Sequence, residues 1–282
     1  MNLVFIAGMA VGQGFTNDAK IAADFLHSFD SLSARGEIIS AAEVQTQLLA
    51  ERSGVSLNLT KPVLKELTGH ELYEKAKSAT VIIGVAYQCP RCAIIHMNET
   101  TGYVIDPKGI IVTNYHVSAL YAFMKDGNKP KGFVVRMANG RTYAIKAVLA
   151  SSKKNDLSVL QLDTHGDILP SLSLADSAQV GDKIYIIGHP KGIHYFFSQG
   201  NVNNRYMEEV GEGDNKFFRE MLSVSADYAT GSSGGPVMDI YGNVVGTVAN
   251  TRMFLHSDMN PGVQMVLKNI IPVESLWKLI RN

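Results

Sequence analysis

The 282-residue chain balances 26 Lys and Arg against 26 Asp and Glu, for a formal net charge of zero. That balance excludes the basic footprint expected of a nucleic-acid-binding surface or a polybasic membrane patch. At this length, with 18% charged and 46% hydrophobic residues, the chain can build one large β domain, or a β domain with a small appendage.

The N-terminal stretch MNLVFIAGMAVGQGF is apolar but has no Lys or Arg before its apolar run. It has two readings: the remainder of a signal peptide, or a buried N-terminal segment. No later run reaches the roughly 18 apolar residues that a bilayer span requires. Residues 18–78 read as helical. Ile21, Ala22, Phe25, Leu26 and Phe29 recur at helical spacing, with Gly36 at or just past the stop. Ser40 with Glu43 forms a capping box ahead of Val44, Leu48 and Leu49, and Gly54 is the expected stop. Thr60-Lys61-Pro62 predicts the start of a third helix. Thr68 with Glu71 is a second capping box, opening a short helix through about Lys77. This region reads as a packing appendage, with a regulatory or partner-binding role as the alternative.

From Thr80 the apolar period changes to two. TVIIGVAY, TGYVIDP, GIIVTN, GFVVRMANG, RTYAIKAVLA, DLSVLQL, DKIYIIGHP and NVVGTVA are short apolar runs, some separated by DPKG, ANG and YGN. Many short strands with turn signals predict a sandwich or barrels, not a βαβ fold. The chain closes on an apolar helix in IIPVESLWKLIRN, with Val273, Leu276, Leu279 and Ile280 as its core face.

Three polar residues stand where a β core does not ask for them. His116 ends the run IIVTNYH, Asp156 precedes LSVLQL, and Ser233 lies in the bare turn GSSGGP, residues 231–236. A hydroxyl nucleophile needs a base within hydrogen-bond reach, and the base needs a third group to fix its tautomer. The chain order His, Asp, Ser is that of two-barrel enzymes; α/β-hydrolases place the serine first.

TNYHV (113–117), NDLSVLQL (155–162) and GSSGGP resemble the three signature blocks of trypsin-fold serine peptidases. TGYVIDPKGIIVTNYHV (101–117), GDKIYIIGHPKG (181–192) and MVLKNIIPVESLWKLI (265–280) are similar to the bacterial HtrA/Deg branch. The resemblance covers roughly residues 70–282. It implies an all-β protease domain over 79–282, made of two six-stranded barrels with a boundary near 165–180, a helical extension over 1–78 and a closing C-terminal helix. By motif match Ser233 is the nucleophile, His116 the base and Asp156 the orienting carboxylate. The backbone N–H groups of Gly231 and Ser233 would form the oxyanion hole. The implied activity is a serine endopeptidase acting on polypeptide through an acyl-enzyme, with no cofactor. Two alternatives stay open: a protease confined to itself or one partner, and an inactive trypsin-fold binding module.

The chain departs from the branch in several ways. It stops at Asn282 with no PDZ domain after the closing helix. The N-terminal helices stand where some members carry a long loop, so trimer assembly is not implied. Nothing resembles the Ile-Val cleavage signal of digestive zymogens. Asp227, six residues before Ser233, matches the place where digestive members bind a basic P1 side chain. Yet Tyr228 could fill the pocket, and Ala249, Asn250 and Thr251 would form its wall, which favours a small or medium apolar P1. The family suggests a bacterial periplasmic or secreted protein, while the unflanked N-terminus leaves the cytoplasm open.

Cys89 and Cys92 form half of a zinc-knuckle pattern in what reads as the first hairpin. No second CxxC or Cys/His pair follows, and His27, His70, His96, His165 and His256 show no metal spacing. The expectation is no metal. A local disulfide, a redox pair and two inert thiols all remain open.

Overall fold

The computed structural model describes residues 14–211, 213, 216–257, 259 and 261–281. The two readings of the N-terminal stretch therefore concern residues that lie almost wholly outside it.

Twelve strands form two closed six-stranded barrels. The first contains β1 (Thr80–Gln88), β2 (Ile95–Asp106), β3 (Ile110–Thr113), β4 (Lys129–Arg136), β5 (Thr142–Ser152) and β6 (Leu157–Leu162), in the order β1-β2-β3-β6-β5-β4. The second contains β7 (Lys183–Gly188), β8 (Phe196–Val210), β9 (Phe217–Val224), β10 (Pro236–Met238), β11 (Val244–Leu255) and β12 (Val263–Pro272), in the order β10-β11-β12-β9-β8-β7. Each ring closes by antiparallel pairing, β1 with β4 and β7 with β10. Inward side chains such as Val81, Ile83, Phe133 and Ile145 fill the first barrel, and Ile184, Val237 and Ile270 fill the second.

The apolar runs of period two cover none of β8, β9, β10 and β12. Val202 alone is fully buried along β8, so the strand carries almost no apolar alternation to read. Helix α4 (Tyr115–Ala122) was likewise hidden. It is apolar nearly all round and buries Tyr115, Val117, Ser118, Tyr121 and Ala122, so it has no polar face to set a period.

The helices outside the barrels follow their local signals closely. α1 (Asp18–Ala34) is capped by Asn17 and ends at Arg35, with Gly36 at φ +72°. α2 (Ala41–Leu49) and α3 (Gly69–Ala79) both carry the reciprocal capping boxes read from Ser40/Glu43 and Thr68/Glu71. α5 (Val273–Ile280) closes the chain with Val273, Leu276, Leu279 and Ile280 buried. α1 packs on the first barrel through Phe25 and Phe29. Both strand positions beneath them are glycine: a Cβ on Gly84 would lie 2.8 Å from the Phe25 ring, and one on Gly132 would lie 2.2 Å from the Phe29 ring.

The helix expected from Thr60 does not form. Residues 52–67 form neither helix nor strand and bond to both barrels and α5 instead. Gly54 and Val55 donate to the carbonyls of Leu279 and Ile280, Asn58 N–H to Asp106, and Leu67 N–H to Ile240. The Asn243 amide takes the N–H of Val63 and donates to its carbonyl, both at 2.8 Å. Backbone groups that a helix would have paired internally are satisfied by the barrels.

Candidate active site

β3 ends at Thr113 and the chain turns directly into α4, so His116 stands in the first turn of that helix. β6 is preceded by a tight turn in which Asp156 adopts φ +52°, a conformation that Asp and Asn tolerate better than most residues. The turn aims the carboxylate at α4. Asp156 Oδ1 accepts the backbone N–H of His116 at 2.9 Å, and Oδ2 lies 2.8 Å from His116 Nδ1. The bond fixes the proton on Nδ1 and leaves Nε2 as the free basic nitrogen. The Asn114 amide steadies the same turn by donating to the Asp156 carbonyl at 3.0 Å.

Ser233 opens into the same cleft. The cleft has a volume of about 270 Å³ and is lined by His116, Ser233, Tyr228, Thr230 and residues 248–251. In the free protein the Ser233 hydroxyl donates a long bond of 3.4 Å to the carbonyl of Ala249.

The bareness of GSSGGP has a direct steric cause. Gly231 (φ +101°) and Gly234 (φ +83°) adopt left-handed conformations. A Cβ on Gly231 would lie 2.4 Å from the His189 carbonyl, and one on Gly234 would lie 2.2 Å from both the Thr101 carbonyl and Thr113 Oγ1. Gly235 packs against the Ile187 carbonyl at 2.7 Å by the same measure. The turn is wedged between strands of both barrels. Thr101 of β2 does much of the holding. Its hydroxyl donates to the Gly231 carbonyl at 2.8 Å, and its N–H donates to the Ser233 carbonyl at 3.1 Å. Sequence reasoning missed Thr101, because a threonine inside a strand carries no local signal of a partner 130 residues away.

On the outer side, Lys191 N–H donates to the Thr230 carbonyl at 2.8 Å. In a trans peptide the N–H and C=O point in opposite directions, so this bond turns the Gly231 N–H away from Lys191. The 189–195 loop that provides it is itself strained, with Lys191 at φ +52° and Tyr195 at φ +59°. Its His189 is fully buried, and burial followed by the nearby charge of His194 pushes its pKa down to about 3. The His189 ring accepts from Tyr195 N–H at 3.1 Å.

The other expected residues separate. Tyr228 is buried, and its hydroxyl reaches the carbonyls of Asn250 and Asn269 at 2.7 and 2.8 Å, so the ring lies across the cleft wall. Ala249, Asn250 and Thr251 line the cleft as well. Asp227 does not. Its side chain is 76% exposed and pairs with Lys268, and it is not among the residues that line the cleft.

Cys89 and Cys92 are free thiols at the tip of the β1–β2 hairpin. Here the structure corrects the histidine reading. His96, set aside on sequence spacing, lies with both cysteines, its Nε2 2.9 Å from Cys92 Sγ. The spacing C-x2-C-x3-H was the available signal. The Cys89 thiol is held down at about 7, chiefly by hydrogen bonding from Cys92 and then from the Arg91 backbone.

The model for the trypsin-like peptidase domain matches residues 100–246, slightly more than half of the chain. This chain belongs to the trypsin-like peptidase domain family. Among curated relatives, this trypsin-like chain is 30% identical over 183 residues to Protease Do-like 5, chloroplastic, of Arabidopsis thaliana, covering 64% of this chain and 55% of that protein. It is 27% identical over 258 residues to the putative serine protease HhoA of Synechocystis, covering 86% and 60%. A probable periplasmic serine endoprotease, DegP-like, of Chlamydia pneumoniae is 28% identical over 184 residues, covering 64% and 34%. The chain thus spans between a third and three fifths of these relatives' lengths. The fold is also that of the solved HtrA-type protease AlgW with decapeptide, with a TM-score of 0.57, 18% identity and coverage of 74% and 65%. No helix among the described residues is long and apolar enough to cross a membrane.

Proposed function

We propose that this trypsin-like peptidase is a serine endopeptidase in which Ser233, His116 and Asp156 act as a triad. One observation carries the reading: Asp156 grips both the backbone and the ring of His116, in a cleft that His116 shares with Ser233. That arrangement has no evident packing purpose, since the His116 side chain is half exposed.

The chemistry follows from the positions. A rotation of the Ser233 side chain exchanges its long bond to Ala249 for one to His116 Nε2. The hydroxyl oxygen then attacks the scissile carbonyl as its proton passes to Nε2. Asp156 stabilises the imidazolium through Nδ1–H without taking its proton. The N–H groups of Gly231 and Ser233 hold the developing oxyanion; the Gly231 N–H is presented by the Lys191–Thr230 bond behind it. Collapse of the tetrahedral intermediate returns the Nε2 proton to the leaving amine and leaves an acyl-Ser233 ester. Water, deprotonated by the same nitrogen, releases the acid.

The substrate in this reading is polypeptide, which the solved HtrA-type protease AlgW with decapeptide supports. The Tyr228 ring and the Asn250 and Thr251 wall make the cleft shallow and suit a small or medium apolar P1 residue. Residues 79–282 form the protease domain in this reading, and the preceding helices brace its first barrel. The periplasmic relatives favour an envelope or secreted setting, which fractionation of the native host would decide. A fluorophosphonate probe tests the enzyme assignment. It should label folded protein at Ser233, and folded protein that stays unlabelled would instead favour a binding module.

A further inference from the structure

We propose that the tip of the β1–β2 hairpin is a zinc site, with Cys89, Cys92 and His96 as ligands and a fourth position left to water. It lies outside the peptidase cleft and has no part in the chemistry above.

The hairpin's last cross-strand pair is Gln88 with Ile95, and the pair before it is Tyr87 with His96. Directly opposed residues in an antiparallel pair share a face. The Tyr87 and His96 rings stack at 5.2 Å between centroids and 28° between planes. The stack fixes the imidazole at the foot of the loop, whose chain turns through Pro90 and Arg91. The two sulfurs and a ring nitrogen all lie within 4.8 Å of one another.

These distances suit a tetrahedral ion. Zn–S bonds of about 2.3 Å and Zn–N bonds of about 2.0–2.1 Å place neighbouring ligand atoms roughly 3.5–3.8 Å apart. The Cys92–His96 contact of 2.9 Å must open by only about 0.6 Å, at a loop tip with room to move. Charge also fits: two thiolates neutralise the dication and the imidazole stays neutral. Sulfur and imidazole donors select zinc over calcium or magnesium, which require oxygen. All three residues are partly exposed, so the ion has an entry path and a water can complete its shell. Both cysteines are free, so no disulfide competes for the sulfurs.

Bound zinc would staple a six-residue loop. Pro90 lies beside Gly127, in the connection between α4 and β4, so the staple would also steady that contact.

The test uses the whole chain, purified under reducing conditions and stripped with chelator. Cobalt(II) is added first as a spectroscopic stand-in, then zinc in competition with a chromogenic chelator. The expected result is one ion per chain, with a thiolate-to-cobalt charge-transfer band and intense tetrahedral visible bands that zinc abolishes. Cys92→Ser should weaken the charge-transfer band, since the Cys89 thiolate remains, and replacing both Cys89 and Cys92 with Ser should abolish it. His96→Gln should weaken zinc binding beyond the roughly 10–100-fold typical of losing an outer partner. Ser233→Ala should bind as the parent does. Circular dichroism of both ligand variants checks that they fold. A spectrum indistinguishable from aqueous cobalt, a charge-transfer band undiminished in folded Cys92→Ser or surviving the loss of both cysteines, or uptake of cuprous ion where zinc is refused would each overturn the assignment.

Discussion

Asp18, the first residue of α1, lies 2.9 Å from Nδ1 of His194, in the loop that supports the nucleophile turn. Glu99 of β2 lies 2.8 Å from Nε2 of the same ring, whose side chain is 1% exposed. Carboxylates only accept, so two such bonds require both ring nitrogens to carry protons. Burial works against the imidazolium, but hydrogen bonding and charge from Glu99, then Asp18, outweigh it and raise the His194 pKa above its ordinary 6.5. His189, the other titratable ring in contact, is kept neutral by its burial across pH 5–9.

This latch has a defined pH sign. A histidine whose folded-state pKa is raised stabilises fully below its unfolded value, and the contribution fades as pH rises through the folded value. Glu99→Gln should therefore cost about 1.5–3 kcal/mol near pH 6, the range for a hydrogen bond to a charged group. The cost should shrink at alkaline pH. Thermal unfolding of both proteins across pH 5–9 measures it, and a cost that grows with pH would contradict the imidazolium.

Ser233→Ala should leave the melting temperature almost unchanged, because among the described residues the hydroxyl's only hydrogen bond is the 3.4 Å contact with Ala249. Hydrolysis and probe labelling should vanish. A drop of several degrees with turnover retained would mark the serine as structural.

Asp156→Asn should fold normally, since Asn tolerates the φ of +52° at this position. It loses the charge facing the imidazolium and favours the wrong tautomer. The rate should fall by about 10⁴-fold, the size this exchange has in a chymotrypsin-type enzyme. His116→Ala should cost as much as the serine change. Single-turnover rates on a chromogenic peptide ester would separate these effects from binding.

Gly234→Ala tests the wedge behind the turn. Its Cβ would meet the Thr101 carbonyl and Thr113 Oγ1 at 2.2 Å, on backbone at φ +83°. Destabilisation of at least about 2 kcal/mol is expected from the strained conformation and the forced shift of backbone. Denaturant unfolding gives the number, and a neutral result would show that the turn has slack.

Asp227→Ala should leave the cleavage preference unchanged, because that carboxylate pairs with Lys268 outside the cleft. Digestion of a peptide library should yield cuts after Ala, Val, Ile or Leu in both proteins. Cuts after Arg and Lys that disappear in the variant would return Asp227 to the pocket.

Sequence by itself determined whatever rests on neighbours a few residues apart. The capping boxes at Ser40 and Thr68 formed as read because each bond spans three residues. The apolar runs of period two became barrel strands, and the 3.6 period of the closing segment became α5. Tertiary structure decided whatever depends on a distant partner. Residues 52–67 form no helix because their donors meet Asp106, Ile240 and Asn243, up to 180 residues away. β8 is a strand because β7 and β9 pair with it, not because its own side chains alternate. Thr101 reaches the nucleophile turn across the two barrels, and Asp227 turns outward to Lys268. His96 meets the cysteines only through the register of a hairpin. Local patterns set which backbone groups pair nearby; only the closed barrels fix which remote groups remain to satisfy the rest.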